Sequence, residues 1–136
     1  MIRKIQHIGV AVRSLDQAVP FYRDVLGLEL LGIEEVAEQK IRAAIFRAGE
    51  SSIEVLETTS PDGPVGKFLE RNGEGIHHLC FQVDDAGAAL ARAKEKGVRL
   101  IDESPRQGVH GMKVGFLHPK ATFGVLTEFA EGGEGY

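Results

Sequence analysis

His7-Ile8-Gly9-Val10-Ala11-Val12 and His78-Leu79-Cys80-Phe81-Gln82-Val83 open the two halves of this 136-residue chain in the same way. Each run starts with a histidine and continues with the alternation of a strand, in which successive side chains point to opposite faces. Such self-similarity predicts a duplicated structural unit. After the first run, Ser14 is placed to cap a helix, with Gln17 three residues on and Leu15, Ala18, Val19, Tyr22, Val25 and Leu26 at helical spacing. Gly27 ends it as a C-cap. After the second run, Asp85 caps a helix carrying Ala88, Ala89, Leu90 and Ala93, which Gly97 terminates. Pro20 fits this scheme only near a helix start, so the reading predicts a late or distorted first turn.

Further strands are predicted at 28–37, 40–46, 52–57, 98–101, 113–117 and 124–129, separated mostly by turn-forming residues. Each half therefore reads as βαβββ, and the fold class as α+β, with eight strands in one open, barrel-like mixed sheet. Ser60-Pro61-Asp62-Gly63-Pro64 breaks the chain between the halves, and 65–71 reads as a short linking helix stopped by Asn72-Gly73. The organisation expected is a single domain over 1–136: unit one 1–59, linker 60–73, unit two 74–130 and a tail 131–136.

Composition narrows the function classes. The chain is 43% hydrophobic and 26% charged, with 17 glycines and no tryptophan, as in an ordinary globular protein. At this length folding buries roughly two-thirds of the unfolded chain's surface, so neither a metal nor a disulfide is needed to form a core. One cysteine, Cys80, excludes an internal disulfide framework and fits a reducing compartment, which predicts a cytoplasmic location. No long apolar segment predicts a secretion signal or a membrane span. A formal charge of -4 argues against sequence-independent nucleic-acid binding, which relies on clustered Lys and Arg.

The candidate chemistry follows from strand faces. Ile8, Val10 and Val12 form an apolar face for the helix, leaving His7, Gly9 and Ala11 on a roomy opposite face. Likewise His78, Cys80 and Gln82 share a face opposite His77, Leu79 and Phe81, so His78 is the inner histidine. Glu54 is flanked by Ile53 and Val55, and Glu128 by Thr127 and Phe129, so both glutamates face inward. His7 precedes Glu54 by 47 residues and His78 precedes Glu128 by 50, which makes two matched His/Glu pairs. A bare carboxylate on an inner face loses several kcal/mol of hydration unless paired or bound to a cation. His7, Glu54, His78 and Glu128 are therefore the predicted ligands of one divalent ion. Imidazole and carboxylate donors without thiolate suit Co, Ni, Mn, Fe or Zn, with Cys80 as spectator lining. Such an ion beside a basic carboxylate suits proton abstraction next to a carbonyl.

These paired units resemble the vicinal oxygen chelate, or glyoxalase-like, superfamily over nearly the whole chain. Within it, Gly73-Glu74-Gly75-Ile76-His77-His78, Phe116-Leu117-His118-Pro119-Lys120 and Gly124-Val125-Leu126-Thr127-Glu128 are similar to methylmalonyl-CoA epimerases, and Phe21-Tyr22 and Gly66-Lys67-Phe68-Leu69 fit the same family. The resemblance implies epimerisation of (2R)- and (2S)-methylmalonyl-CoA, an acyl-CoA substrate, cobalt or a similar ion (Ni, Mn or Zn) and a homodimer. Carried over by position, it implies Glu128 as a base as well as a ligand. Some members carry a glutamate on the third strand, where this chain is read to have Ala43, and a glutamine at the position of Glu54; Glu54 is accordingly expected to supply the second catalytic carboxylate. Two alternatives share the fold: a glyoxalase I using the same ligands, and a metal-free small-molecule-binding module. Gln107 to Met112 reads either as a carboxylate-binding loop or as a hairpin turn. Lys113, Lys120 and Arg106 read either as contacts for the nucleotide phosphates or as solvated charges. His77 is expected to pack against a helix and His118 to serve turn chemistry.

Overall fold

The computed structural model describes residues 1–133, which form two compact units. One comprises Ile8–His77, and the other joins Met1–His7 to the chain from His78 onward. The strands β1 (Ile2–Ala11) and β5 (Gly75–Val83) each pass from one unit to the other at a histidine.

In the unit Ile8–His77, the end of β1 leads into α1 (Leu15–Pro20), whose first turn is capped by Ser14 accepting from the Gln17 N–H at 3.3 Å. Pro20 does not disturb that first turn, contrary to expectation. It has no N–H to return to the preceding turn, and the irregularity falls downstream, where Phe21–Val25 forms a π-turn closed by Leu26 N donating to Phe21 O at 3.0 Å. Gly27 then takes φ +72, as the predicted C-cap requires.

The three strands β2 (Glu29–Val36), β3 (Ile41–Ala48) and β4 (Ser51–Thr58) form an antiparallel meander, each within a few residues of the predicted span. α2 (Pro64–Asn72) is the predicted linking helix, one residue longer at each end. Two apolar clusters hold this unit. Val12, Leu15, Val19, Ala44, Phe46 and Val55 pack α1 on one sheet face, while Ala11, Ile41, Ala43, Leu56, Val65 and Leu69 pack α2 on the other. The alternation inferred along the first strand is thus realised: Val12 faces α1, and Ala11 faces the opposite way.

In the other unit, β5 leads into α3 (Ala86–Glu95), capped by Asp85 accepting from the Ala88 N–H at 2.9 Å. The predicted strand at 98–101 is not one. Ile101 N donates to Phe116 O, but the Asp102 carboxylate then takes the Phe116 N–H at 2.9 Å. That side chain replaces the next strand partner, leaving a single bridge between Leu100 and Leu117. The pairing resumes as β6 (Arg106–Gln107), antiparallel to β7 (Lys113–Leu117). The stretch 108–112 is therefore the connection of a hairpin that Gln107 and Lys113 close, with His110 at φ +56.

The last strand, β8 (Thr127–Glu131), starts three residues later than predicted, because Phe123 (φ +60) and Gly124 (φ +90) hold the chain in a turn. Glu131, read as the start of a tail, closes β8, and 134–136 lie outside the described residues. The eight strands hydrogen-bond in the order β2-β3-β4-β1-β5-β8-β7-β6, with β5 and β8 parallel, so the α+β mixed sheet is as expected. Among the described residues, no helix is long and apolar enough to cross a membrane.

Candidate metal centre

His7, His78 and Glu128 meet within the unit that joins Met1–His7 to the chain from His78 onward. Parallel pairing aligns Cys80 of β5 with Glu128 of β8, and the β5 alternation puts His78 on the Cys80 face. All three candidate ligands are withdrawn from water, at 2, 6 and 4% exposed. Nε2 of His7 lies 2.8 Å from Nε2 of His78, and each is 3.1 Å from Oε1 of Glu128. The rings meet edge to face, and Phe116 packs edge-on against His78. Arg106, read as a solvated charge, instead lies over the Phe116 ring at 5.4 Å.

This triangle suits a cation. Donors held at right angles by an ion at roughly 2.1 Å sit about 3 Å apart, close to the three separations observed. Moreover, Oε1 of Glu128 is a buried acceptor where two ring nitrogens converge. Such an arrangement is costly unless positive charge occupies it. Burial pushes the Glu128 carboxyl up, but His7 and His78 beside it outweigh burial and hold it below the usual carboxylate range. Glu128 is thus an ionised acceptor, as a ligand must be.

Two side chains enlarge the centre beyond the sequence reading. The sulfur of Cys80 lies within 4.8 Å of ligand atoms of His7 and Glu128, which makes it a further donor at the site as well as lining. Gln6 is 1% exposed, and its Oε1 hydrogen-bonds Nδ1 of His7. Strand alternation assigned Gln6 to the face opposite His7; a glutamine immediately before a candidate ligand was its only sequence signal.

Glu54 belongs to the unit Ile8–His77, on β4 opposite Ile45 of β3, and is 4% exposed. Ala43 is fully buried in the cluster that packs α2. Glu38 is the acidic residue on the turn Ala37–Gln39 leading into β3. His77 packs edge-on against Phe68 of α2, and Nδ1 of His118 accepts the Lys120 N–H at 3.1 Å, capping a turn; both match their expected structural roles.

Residues 6–116 match the Glyoxalase/Bleomycin resistance protein/Dioxygenase superfamily. The chain is 36% identical to the mitochondrial methylmalonyl-CoA epimerase of Mus musculus, over 94% of this chain and 72% of that one. It is 35% identical to an ethylmalonyl-CoA/methylmalonyl-CoA epimerase of Cereibacter sphaeroides, over 96% of this chain and 99% of that one. Among solved structures, a Streptomyces coelicolor methylmalonyl-CoA epimerase variant in complex with 2-nitronate-propionyl-CoA superposes with a TM-score of 0.95 at 40% identity, covering 98% of this chain and 97% of that one. The chain belongs to the Glyoxalase/Bleomycin resistance protein/Dioxygenase superfamily and, within it, to the methylmalonyl-CoA epimerase family.

Proposed function

We propose that this protein is a metal-dependent epimerase that interconverts (2R)- and (2S)-methylmalonyl-CoA. The observation that carries the reading is the buried His7/His78/Glu128 triangle in a chain whose relatives are named for this reaction. His7, Glu54, His78 and Glu128 would hold the ion, which we take to be cobalt, with nickel, manganese or zinc as alternatives. Two carboxylates balance the charge of a divalent ion, and imidazole with carboxylate donors suits these metals. When bound, the ion supplies Lewis-acid polarisation of the thioester carbonyl, which lowers the cost of removing the α-proton.

The protein's own groups carry the proton. Ionised Glu128 accepts the α-proton from one face of the substrate and becomes a carboxylic acid, while the C–H electron pair moves into the enolate. Glu54 takes a proton from solvent, delivers it to the opposite face and returns to the carboxylate. The proton count balances when Glu128 releases its proton to solvent. Burial strengthens each of these contacts, because water is not there to compete. The reading includes a homodimer acting in the cytoplasm.

The test is exchange of the substrate α-proton in D₂O, followed by NMR with cobalt-loaded and chelator-treated protein. Exchange should require metal and fall at least 100-fold in Glu128→Gln, the lower end of what one acid–base group contributes. Glu54→Gln should abolish epimerisation, and unimpaired epimerisation with retained metal would remove Glu54 from the mechanism. No exchange by folded, metal-loaded wild type sinks the proposal.

A further inference from the structure

We propose that Gln6 is a positioning residue that presets His7 for metal binding, an inference that rests on the reading of this site as a metal centre. A neutral imidazole carries one proton, so one ring nitrogen donates and the other presents a lone pair. The side-chain oxygen of Gln6 is an acceptor only. Its hydrogen bond to Nδ1 of His7 therefore fixes the ring proton on Nδ1 and leaves the lone pair on Nε2. That Nε2 is the atom 2.8 Å from His78 and 3.1 Å from Glu128. His7 is held ready as a ligand before any ion arrives, and in the metal-free protein Nε2 of His78 must be the donor of the pair.

Burial makes this selection strong. Gln6 and His7 are 1 and 2% exposed, so bulk water competes little with this hydrogen bond. The chemistry of the amide also matters. A carboxylate at position 6 would bind Nδ1 at least as well, but it would add a negative charge beside the ionised Glu128. The neutral acceptor orients His7 without over-charging the centre. Groups that orient metal-bound histidines typically account for about 10–100-fold in affinity.

The experiment compares wild type, Gln6→Met and Gln6→Glu. Methionine keeps nearly the same shape without an acceptor; glutamate restores one. ¹⁵N-detected imidazole NMR of chelator-treated protein reports the His7 tautomer, and titration with cobalt(II) chloride reports affinity and the ligand-field spectrum. In the metal-free wild type His7 should carry its proton on Nδ1. Gln6→Met should lose that preference and bind cobalt about 10–100-fold more weakly with an altered spectrum, and Gln6→Glu should recover both.

Unchanged tautomer and affinity in Gln6→Met would overturn the role of Gln6 while leaving the metal reading intact. Failure of wild type to bind cobalt overturns the metal reading before any variant is compared, and this inference with it. If Gln6→Met does not fold, the wild-type tautomer decides: a proton on Nε2 of His7 overturns the proposal.

Discussion

At the scale of single residues, the centre is a contest between desolvation and local charge. For Glu128 the outcome is a carboxyl held below its ordinary range by two imidazoles. A depressed folded value means that the stability it confers is present above the unfolded carboxylate range, near pH 4.3, and is lost as pH falls through the lower folded value. Metal-free wild type should therefore lose urea resistance on acidification below about pH 4 more steeply than Glu128→Gln. The slope is the diagnostic, because removing a buried charge moves absolute stability in either direction. Parallel slopes would show that the Glu128 contact is not formed in solution.

His7, His78 and Glu128 were legible in the sequence because strand alternation has period 2, and each sits where its neighbours are small or apolar. Gln6 was not legible for the same reason: the rule that places His7 inward sends residue 6 to the other face. The side chain returns to its neighbour's Nδ1 by a route that no periodicity encodes.

At the scale of elements, helix caps read well because a cap is a local contract between side chain and backbone. Ser14 and Asp85 both bond the N–H three residues on. The strand at 98–101 did not read well, since the side chain that ends it, Asp102, bonds a residue 14 positions away. Packing between elements is similarly hidden, and two glycines show how it can be measured. A Cβ on Gly66 of α2 would lie 2.7 Å from the carbonyl oxygens of both Ser60 and Pro61. A Cβ on Gly115 of β7 would lie 2.5 Å from Cδ1 of Leu90, the end of a flexible side chain on α3.

Backbone cannot rotate away, whereas leucine can. Gly66→Ala should consequently cost more than Gly115→Ala, even though alanine gains about 1 kcal/mol of helix propensity at position 66. We expect Gly115→Ala to lose about 1–3 kcal/mol, the usual range for overpacking. Denaturant midpoints compare the two directly, and a smaller loss at Gly66 would mean that the chain at 60–61 yields.

At the scale of the whole molecule, the repeated His…Glu order pointed to a duplicated unit in one dimension. The compact units are nevertheless built from non-contiguous pieces: the first seven residues join the chain from His78 onward. A local pattern does not specify such an exchange, because each strand reads the same whichever partner completes its unit. The apolar clusters of the unit Ile8–His77 contain none of the proposed ligands, so its core does not depend on them. Removing metal should then leave the fold intact and lower only its stability.

An ion that binds the native state alone stabilises it by about 2.7 kcal/mol when present at 100 times its dissociation constant. For a chain of this size that is roughly 10 °C in Tm. Chelator-treated protein should keep its far-ultraviolet circular dichroism, gain this shift on adding cobalt(II) chloride, and lose it again with excess chelator. Glu128→Gln and Glu54→Gln should each show a smaller shift at the same cobalt concentration. Equal shifts in wild type and both variants would place the ion elsewhere on the protein.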